Sequence, residues 1–312
     1  MTLSNHDYCH DVAAVLVTYN PDLPALQAAI AAVAAQVANV FIIDNASVNF
    51  SLDDLSESGK ESAAGWHFFP QSENLGIGAG HNIGIGQAQK SGAAFVLLLD
   101  QDSQVGAGMV RRLRSAHDKL VHQGSRVAAL GPRYRDNDNG TLSRFVKVRG
   151  LGFALLDCTT DDGMVEADFL VSSGSLLPLA VIETVGLMDA RLFIDHVDTE
   201  WCFRAKAKGF QLFGVCDAVM THALGEQRKE IWFLRQRTVP FHRPFRYYYI
   251  FRNSMLLYRR SYMPWRWKLA DMLRSLKIMV FFGLIGPHRW ACIRMMAAGL
   301  MDGLKGLSGK HF

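Results

Sequence analysis

Four short apolar runs in the first hundred residues each end in a polar or glycine-rich segment. They span residues 12–17, 40–43, 66–69 and 95–99, and an alanine-rich helical pattern over residues 23–37 follows the first. Apolar runs that stop at Asp, Asn or Gly are typical of buried strands. The pattern therefore predicts the alternating strands and helices of an α/β protein.

Near-continuous apolar strands indicate a mainly parallel sheet that helices cover on both faces. Right-handed crossovers bring the carboxyl ends of such strands to one edge, where open α/β sheets bind ligands. The residues that follow the four runs include Thr18, Asp44, Asn74, Asp100 and Asp102. We expect these five residues to converge at one edge of a Rossmann-like sheet.

The later part of the chain predicts fewer strands. Strands are expected over residues 169–171 and 210–215, a helix is expected from about His81, and another over residues 201–208 stops at Gly209. A compositional break near residue 226 divides the chain into an α/β domain, residues 1–226, and a helical extension, residues 227–312.

The extension differs from the domain in charge. Between Arg228 and Lys277 the formal charge is +11, whereas the whole chain carries only +4. Such asymmetry indicates an anionic partner: nucleic acid, a phospholipid surface or a diphosphate-bearing substrate. Ten aromatic residues alternate with arginines over residues 241–267, a composition that suits a lipid-linked acceptor, single-stranded nucleic acid or a buried aromatic cluster.

The apolar stretch at residues 278–286 favours the membrane over nucleic acid. It is far shorter than the roughly 20 residues that span a bilayer, so we expect peripheral contact. The five cysteines are scattered and form no CxxC pair, which predicts neither a zinc site nor a disulfide framework. The first residues lack the basic region of a signal peptide, and a cytoplasmic location is expected.

Two acids, Asp100 and Asp102, directly follow the apolar run at residues 95–99. Carboxylates on a strand-end loop suit Mg²⁺ or Mn²⁺, which take oxygen ligands and keep substrate phosphates in their shell. The alternative is an Asp pair that caps the next helix. The glycine-rich segment 74–86 contains neither GxGxxG nor a P-loop, so it predicts a tight loop against a ligand or a neighbouring strand.

Three more acids lie at residues 195, 198 and 200, just before a helical pattern. Acids at a helix N-terminus ordinarily complement the helix dipole, but a carboxylate held there can also act as a general base. His222 follows the last predicted strand and is by itself a lone histidine.

Seven ordered segments together resemble one family: VTYN, IIDNAS, ENLGIGAGHNIG, LLLDQDS, SSG, GLMDARLFIDHVDTEWCFRA and THALG, at residues 17–20, 42–47, 73–84, 97–103, 172–174, 186–205 and 221–225. The chain resembles the family 2 glycosyltransferases of the GT-A fold. The FIDHVDTEW segment and RYYYIFRN, residues 246–253, are similar to those of bacterial rhamnosyltransferases.

The resemblance implies a site for a nucleotide sugar. The residues it assigns to the donor are Thr18, Tyr19, Asn20, Asp44, Asn74, Gly76, Gly80, Asn82, Asp100, Arg246 and Arg252. Asp44 would accept the pyrimidine N3–H. Asp102, with Asp100 and His222, would hold Mg²⁺ or Mn²⁺ against the diphosphate.

Sugar transfer needs a base for the acceptor hydroxyl and neutralisation of the leaving diphosphate. The resemblance makes Asp198 the base, with Asp195 as its rival because Val197 stands where many relatives carry Glu. It implies an inverting transferase, with dTDP-L-rhamnose as donor and a saccharide or lipid-linked acceptor, peripheral to the inner membrane. The alternatives are transfer from another nucleotide sugar, nucleotidyl transfer, and a non-catalytic nucleotide-binding or membrane-scaffolding protein.

Overall fold

A computed structural model describes residues 8–55, 65–136, 140–160, 163–222, 228–233, 235–240, 242–284 and 286–312. Within these residues nine strands form one sheet. Along the sheet they are β3 (Gly65–Pro70), β2 (Val37–Asp44), β1 (Cys9–Thr18), β4 (Phe95–Asp100), β10 (Leu176–Pro178), β6 (Val127–Arg135), β11 (Gln211–His222) and β5 (Ser103–Val105), with β9 (Met164–Ala167) also paired to β11.

The core of the sheet is parallel, as the sequence predicts. β1 pairs in parallel with β2 and β4, β2 with β3, and β6 with β11. β10 runs antiparallel between β4 and β6, so those two point the same way. The carboxyl ends of β1 to β4 therefore lie along one edge.

Helices cover both faces of the sheet. Those of the first two thirds of the chain are α1 (Leu23–Ala34), α2 (Leu52–Leu55), α3 (Ile77–Lys90), α4 (Met109–His122), α5 (Leu179–Val185) and α6 (Val197–Ala207). Alternate residues of β1 lie in different hydrophobic clusters, Ala14 and Leu16 in one and Val15 and Val17 in the other. This two-sided burial explains why residues 12–17 of the strand are all apolar.

Helix α1 begins where its sequence allows a cap. The Asp22 side chain accepts a hydrogen bond from Ala25 N at 3.0 Å, and Pro24 lies in the first turn, where no backbone donor is needed. The helix ends at Ala34 rather than at residue 37, since Val37 already begins β2.

Helix α3 begins at Ile77, four residues before the predicted start, and packs closely on β1. A Cβ on Gly80 would lie 2.7 Å from Val17 Cγ1, and one on Gly84 would overlap Val15. These two glycines lie four residues apart, on one side of the helix. The glycine-rich segment thus brings a helix against a neighbouring strand.

Two predictions are wrong. The strand expected over residues 169–171 is only an isolated bridge between Phe169 and Val146, and the regular strand is β9, which ends at Ala167. The sequence predicts no disulfide, but Cys158 and Cys216 are bonded in the structure. Their spacing of 58 residues carries no local signal, because the fold alone brings the two side chains together.

The extension contains α7 (Pro244–Tyr258), α8 (Trp265–Leu284) and α9 (Arg289–Lys305), after the hairpin β12 (Arg228–Phe233) and β13 (Arg235–Pro240). A second hairpin pairs β7 (Phe145–Arg149) with β8 (Gly152–Leu156). The predicted boundary near residue 226 lies outside the described residues. No helix of the described chain combines the length and hydropathy needed to cross a bilayer.

The extension is anchored by close helix packing. Gly299 and Gly303 of α9, four residues apart, lie against the backbone of α7, where a Cβ on Gly303 would be 2.7 Å from Arg252 O. Most aromatic residues of α7, including Tyr247, Tyr248, Tyr249 and Phe251, are buried. The aromatic-rich segment is therefore largely the core of the extension.

Candidate active site

The first corner of the site joins β1 to β2. Thr18 Oγ1 donates to Asp44 Oδ1 at 2.8 Å, and Ser47 donates its backbone N–H to Asp44 Oδ2 at 2.9 Å. The Ser47 hydroxyl donates to Oδ1 as well, at 2.5 Å. The buried Asp44 carboxylate is thus held in one orientation, with lone-pair directions remaining for a further donor.

The loop after β1 is fastened to the other strand ends. Tyr19 N donates to Gln101 Oε1 at 2.7 Å, which joins it to the loop after β4. Asn20 N donates to Ser47 Oγ at 2.8 Å, and Asn20 Oδ1 accepts from Val48 N at 3.0 Å. The Tyr19 side chain is about half exposed at this edge.

The glycine-rich loop before α3 is built largely on itself and on β2. Asn45 Nδ2 donates to Gly76 O at 3.3 Å, and Asn74 Oδ1 accepts from Gly76 N at 2.9 Å. Gly76 has φ of +84°, and a Cβ there would lie 2.5 Å from Phe193 O. Only glycine fits at this position.

Asn82 also has a structural partner. Its side chain forms two hydrogen bonds with the backbone of Met188, both at 2.9 Å. Gly80 packs on Val17. Asn82 and Gly80, which the sequence assigns to the nucleotide sugar, therefore also help to hold the glycine-rich segment in place.

A buried serine bonds to the backbone of Asp100, the last residue of β4. Ser173 Oγ accepts from Asp100 N at 3.1 Å and lies 2.6 Å from Ser103 Oγ, while Ser173 O accepts from Tyr134 OH at 2.6 Å. Burial, with the nearby Asp100 and Asp198 carboxylates, raises the pKa of the Tyr134 phenol. Tyr134 therefore lies close to Asp100 and Asp198.

Asp100 and Asp102 offer oxygen donors of the kind that Mg²⁺ and Mn²⁺ prefer, and both are partly exposed. Among the described residues, no three His, Cys, Asp or Glu side chains lie together as a ready metal site. A divalent cation bound by these two carboxylates would need further oxygen ligands, such as water or substrate phosphates. His222 pairs through its backbone with Ser103, next to this loop, and its side chain lies outside the described part of the chain.

The acid-rich segment has an unusual backbone. Phe193, Asp195 and His196 have φ of +65°, +63° and +63°. Non-glycine residues rarely adopt such values, and they persist where surrounding contacts enforce them, often at functional sites. Helix α6 begins directly afterwards at Val197, so Asp198 lies in its first turn.

The two candidate bases have different environments. Both Asp195 oxygens accept hydrogen bonds from Arg246, at 2.7 and 3.3 Å. Asp198 accepts from Thr199 N at 2.6 Å and from the backbone of Ser172. Burial raises the pKa of the Asp198 carboxyl, and the Asp195 charge acts in the same direction.

Arg246 belongs to the same cluster. Burial opposes its charge, but Asp195, with a further contribution from Asp100, raises its pKa. Arg252 has other partners: its buried guanidinium donates to Leu192 O at 2.9 Å and Gly309 O at 2.5 Å. Arg246 thus lies among the acids, whereas Arg252 lies behind the loop that carries them.

Glu200 is fully buried. It accepts hydrogen bonds from Arg204 at 2.8 Å and from Tyr262, and pairs with Arg260 at 2.9 Å. The Glu200 carboxylate thus orients neighbouring side chains.

Sequence reasoning missed Ser173 and Tyr134 as parts of the site. The SSG segment carried a usable signal, because it is one of the seven ordered motifs. Tyr134 had none, since it stands alone at the end of β6 and reaches the site only through the sheet order.

Comparison with known proteins agrees with this architecture. The model of glycosyl transferase family 2 matches residues 13–165. The chain is 30% identical to dTDP-rhamnosyl transferase RfbF of Shigella flexneri, over 96% of this chain and 97% of that protein. The chain therefore belongs to glycosyltransferase family 2, and the predicted transferase class is confirmed.

Solved structures confirm the GT-A fold. Staphylococcus aureus TarS 1–349 in complex with UDP-GlcNAc matches with a TM-score of 0.58 at 13% identity, covering 95% of this chain and 81% of that one. GalNAc-T7 with UDP, GalNAc and Mn²⁺ matches with a TM-score of 0.55 at 14% identity, covering 68% of this chain. This chain spans only 44% of the GalNAc-T7 chain.

Proposed function

We propose that this protein is a metal-dependent, inverting glycosyltransferase that moves L-rhamnose from dTDP-L-rhamnose to a saccharide or lipid-linked acceptor. One observation carries the proposal: adjacent residues bind the two halves of the site. The backbone of Ser172 bonds to Asp198, and Ser173 Oγ accepts from Asp100 N. The candidate base, Asp198, and the candidate metal ligand Asp100 are thus held by two consecutive residues of one segment. Similarity to dTDP-rhamnosyl transferase RfbF supports the donor.

The nucleotide would bind at the corner of β1 and β2. Asp44, oriented by Thr18 and Ser47, accepts the N3–H of the pyrimidine. Tyr19 and Asn20 line the opposite side on a loop that is fastened to both neighbouring strand ends. The segment from Asn74 to Asn82 would form the close-packed wall of the nucleotide site.

The diphosphate would lie against the acids after β4. Asp102 and Asp100, with His222 as the further candidate, would hold a divalent cation there. When bound, Mg²⁺ or Mn²⁺ neutralises the charge of the departing nucleoside diphosphate. Arg246 supplies a second positive charge near Asp100, and a guanidinium can bind phosphate through two parallel hydrogen bonds.

Asp198 is the proposed general base. It accepts the proton of the acceptor hydroxyl as that oxygen attacks the anomeric carbon opposite the leaving diphosphate, so the configuration inverts. A base works best with a pKa near the working pH, and burial shifts Asp198 in that direction. Asp195 is less suited, because Arg246 already engages both of its oxygens.

The acceptor and membrane would lie on the side of the extension. Met272, Leu276, Val280 and Leu284 recur at every fourth residue of α8 and are at least half exposed. Trp290 at the start of α9 is 75% exposed and has Arg289 beside it. An exposed apolar stripe with neighbouring cations suits an anionic bilayer surface, at the cytoplasmic face of the inner membrane.

Calorimetric titration with dTDP-L-rhamnose, UDP-glucose, dTDP and dTTP, each with and without Mn²⁺, tests the donor site. We expect dTDP-L-rhamnose to bind tightly only with Mn²⁺, and Asp102→Asn to remove the metal effect. Asp157→Asn, an exposed carboxylate outside the site, is the control. Metal-independent binding would refute the metal assignment. Preference for UDP-glucose would change the donor, and tighter binding of dTTP than of dTDP-L-rhamnose would favour nucleotidyl transfer.

A further inference from the structure

We propose that Asn253 and Ser254 of α7 are positioning residues that hold the acid-bearing loop, residues 192–196, in its active conformation. The inference rests on the proposed function, since it gives the extension a part in the geometry of Asp195 and Asp198. Neither residue reaches the reacting atoms, and both act through the loop.

The loop needs an external constraint. Three of its residues, Phe193, Asp195 and His196, have positive φ without being glycine. Such a backbone relaxes unless its surroundings enforce it. The candidate base follows within two residues of the last strained position, so any relaxation moves Asp198.

Asn253 supplies most of that constraint. It is fully buried, and its Nδ2 lies 2.9 Å from Leu192 O, 2.8 Å from Ile194 O and 2.9 Å from Asp195 O. Its Oδ1 accepts from Arg252 Nε at 3.0 Å, which fixes the orientation of the amide. The two N–H groups of one amide thus lie within hydrogen-bond distance of three carbonyls, from three of four consecutive loop residues, so at least one N–H is shared.

Ser254 holds the next residue. Its Oγ lies 3.2 Å from His196 Nε2 and donates to Asp271 Oδ2 of α8 at 2.7 Å. Asp271 also accepts from Tyr258 at 2.8 Å and from Arg274 at 2.7 Å. Although burial would raise it, His196 and Arg274 hold the pKa of Asp271 below its usual range. An ionised, anchored carboxylate therefore fixes the Ser254 hydroxyl.

The same helix also reaches Asp195. Arg246 precedes Asn253 by seven residues, two turns along one side of α7, and forms the ion pair with Asp195. Arg246, Asn253 and Ser254 of α7 thus contact four of the five loop residues. The exception is Phe193. Phe193 instead stacks on Tyr249 of α7, with ring centroids 5.1 Å apart. Every residue of the loop therefore contacts α7.

The test compares Asn253→Ala and Ser254→Ala with a matched control, Ser275→Ala. Ser275 is a buried serine of α8 whose hydroxyl has no hydrogen-bond partner in the structure. We measure kcat and KM for rhamnosyl transfer, dTDP affinity by calorimetry, and hydrogen–deuterium exchange of residues 192–200, all well below the Tm of each variant.

We expect kcat to fall about tenfold in Ser254→Ala and about a hundredfold in Asn253→Ala, because small misplacement of a catalytic group is costly. The dTDP affinity should stay within about twofold, since only transfer depends on the loop. Exchange of residues 192–200 should rise in both variants and not in Ser275→Ala. Folded variants with wild-type kcat, or with unchanged exchange, would overturn the proposal.

Failure of the proposed function gives a different result. If the wild-type protein transfers no sugar from any nucleotide donor, the transferase assignment falls while the exchange data still decide whether Asn253 and Ser254 hold the loop. If transfer occurs and Asn253→Ala lowers only the Tm, the two residues are merely structural and this inference alone is wrong.

Discussion

Asp198 combines a stability cost with the proposed role of general base. Burial raises its pKa, so the native state binds this proton more tightly than the unfolded chain does. The ionised form therefore costs stability once the pH exceeds the usual range of an aspartate, and the cost grows until the raised pKa is passed. The proposed mechanism needs that ionised form, because only the carboxylate can accept a proton from the acceptor hydroxyl.

Asp198→Asn separates these effects. We predict a higher Tm than wild type at pH 7, a difference that shrinks on acidification, and a loss of kcat of at least about a hundredfold. In the wild type, kcat/KM should fall on the acid side at a pH above the ordinary aspartate range. If Asp195→Asn shows this loss and Asp198→Asn does not, Asp195 is the base.

His81 makes an independent prediction about stability. It is fully buried on α3, neither ring nitrogen has a hydrogen-bond partner in the structure, and burial lowers its pKa to about 4. Below the unfolded pKa of about 6.5, the unfolded chain takes up a proton that the native state refuses. Stability present above that pH is lost as the pH falls towards 4.

Urea unfolding of His81→Leu measures the contribution of this residue. From pH 7 to pH 5 the free energy of unfolding of the wild type should fall by about 2 kcal/mol more than that of the variant. His122→Gln, at an exposed histidine, should follow the wild type. Equal pH dependence in wild type and His81→Leu would mean that the ring is solvated or paired in solution.

At the scale of elements, the contact between α3 and β1 depends on missing side chains. Gly84→Ala would place a methyl group inside Val15, whereas Gly86, on the same helix, has open space around its Cα. We predict that Gly84→Ala destabilises the protein by about 1–3 kcal/mol and that Gly86→Ala is neutral or stabilising. Thermal unfolding of the pair checks this; equal effects would show that α3 does not approach β1 so closely.

The strands that could be predicted are those whose sequence and burial agree. β1 and β4 are apolar runs buried on both faces, and their ends were placed within a few residues. The strand expected over residues 169–171 failed because an apolar triplet fits any buried segment. Helix α3 was predicted to start too late, because its first turn is rich in glycine and has no side-chain cap.

The site divides in the same way. Residues at the ends of parallel strands, such as Thr18 and Asp44, could be brought together from topology alone. Asn253, Ser254 and Tyr134 could not, because they meet the site through contacts between residues 39 to 61 positions apart in the chain. For Asn253 and Ser254 such contacts depend on how α7 packs on the acid-bearing loop, and for Tyr134 on the order of strands in the sheet. Local sequence carries no record of either.

At the scale of the whole molecule, charge and exposed apolar surface favour the membrane. Leu276→Gln, Val280→Gln and Leu284→Gln combined should release the protein from phosphatidylglycerol liposomes in a sedimentation assay, since each removes apolar area from the α8 stripe. Val48→Gln, Val121→Gln and Leu155→Gln combined, at exposed apolar positions elsewhere, should not. Equal sedimentation of the two triple variants would contradict the proposed membrane contact of α8.

The most direct test of the central claim is transfer itself. Purified protein is incubated with dTDP-L-[¹⁴C]rhamnose and lipid extracted from bacterial inner membranes, with Mn²⁺ or with EDTA, and label in the lipid fraction is counted. The account predicts label with Mn²⁺, none with EDTA, and none with Asp198→Asn. Label that persists with EDTA or in Asp198→Asn would contradict the proposed metal site or base, and none under any condition would contradict rhamnosyl transfer to such an acceptor.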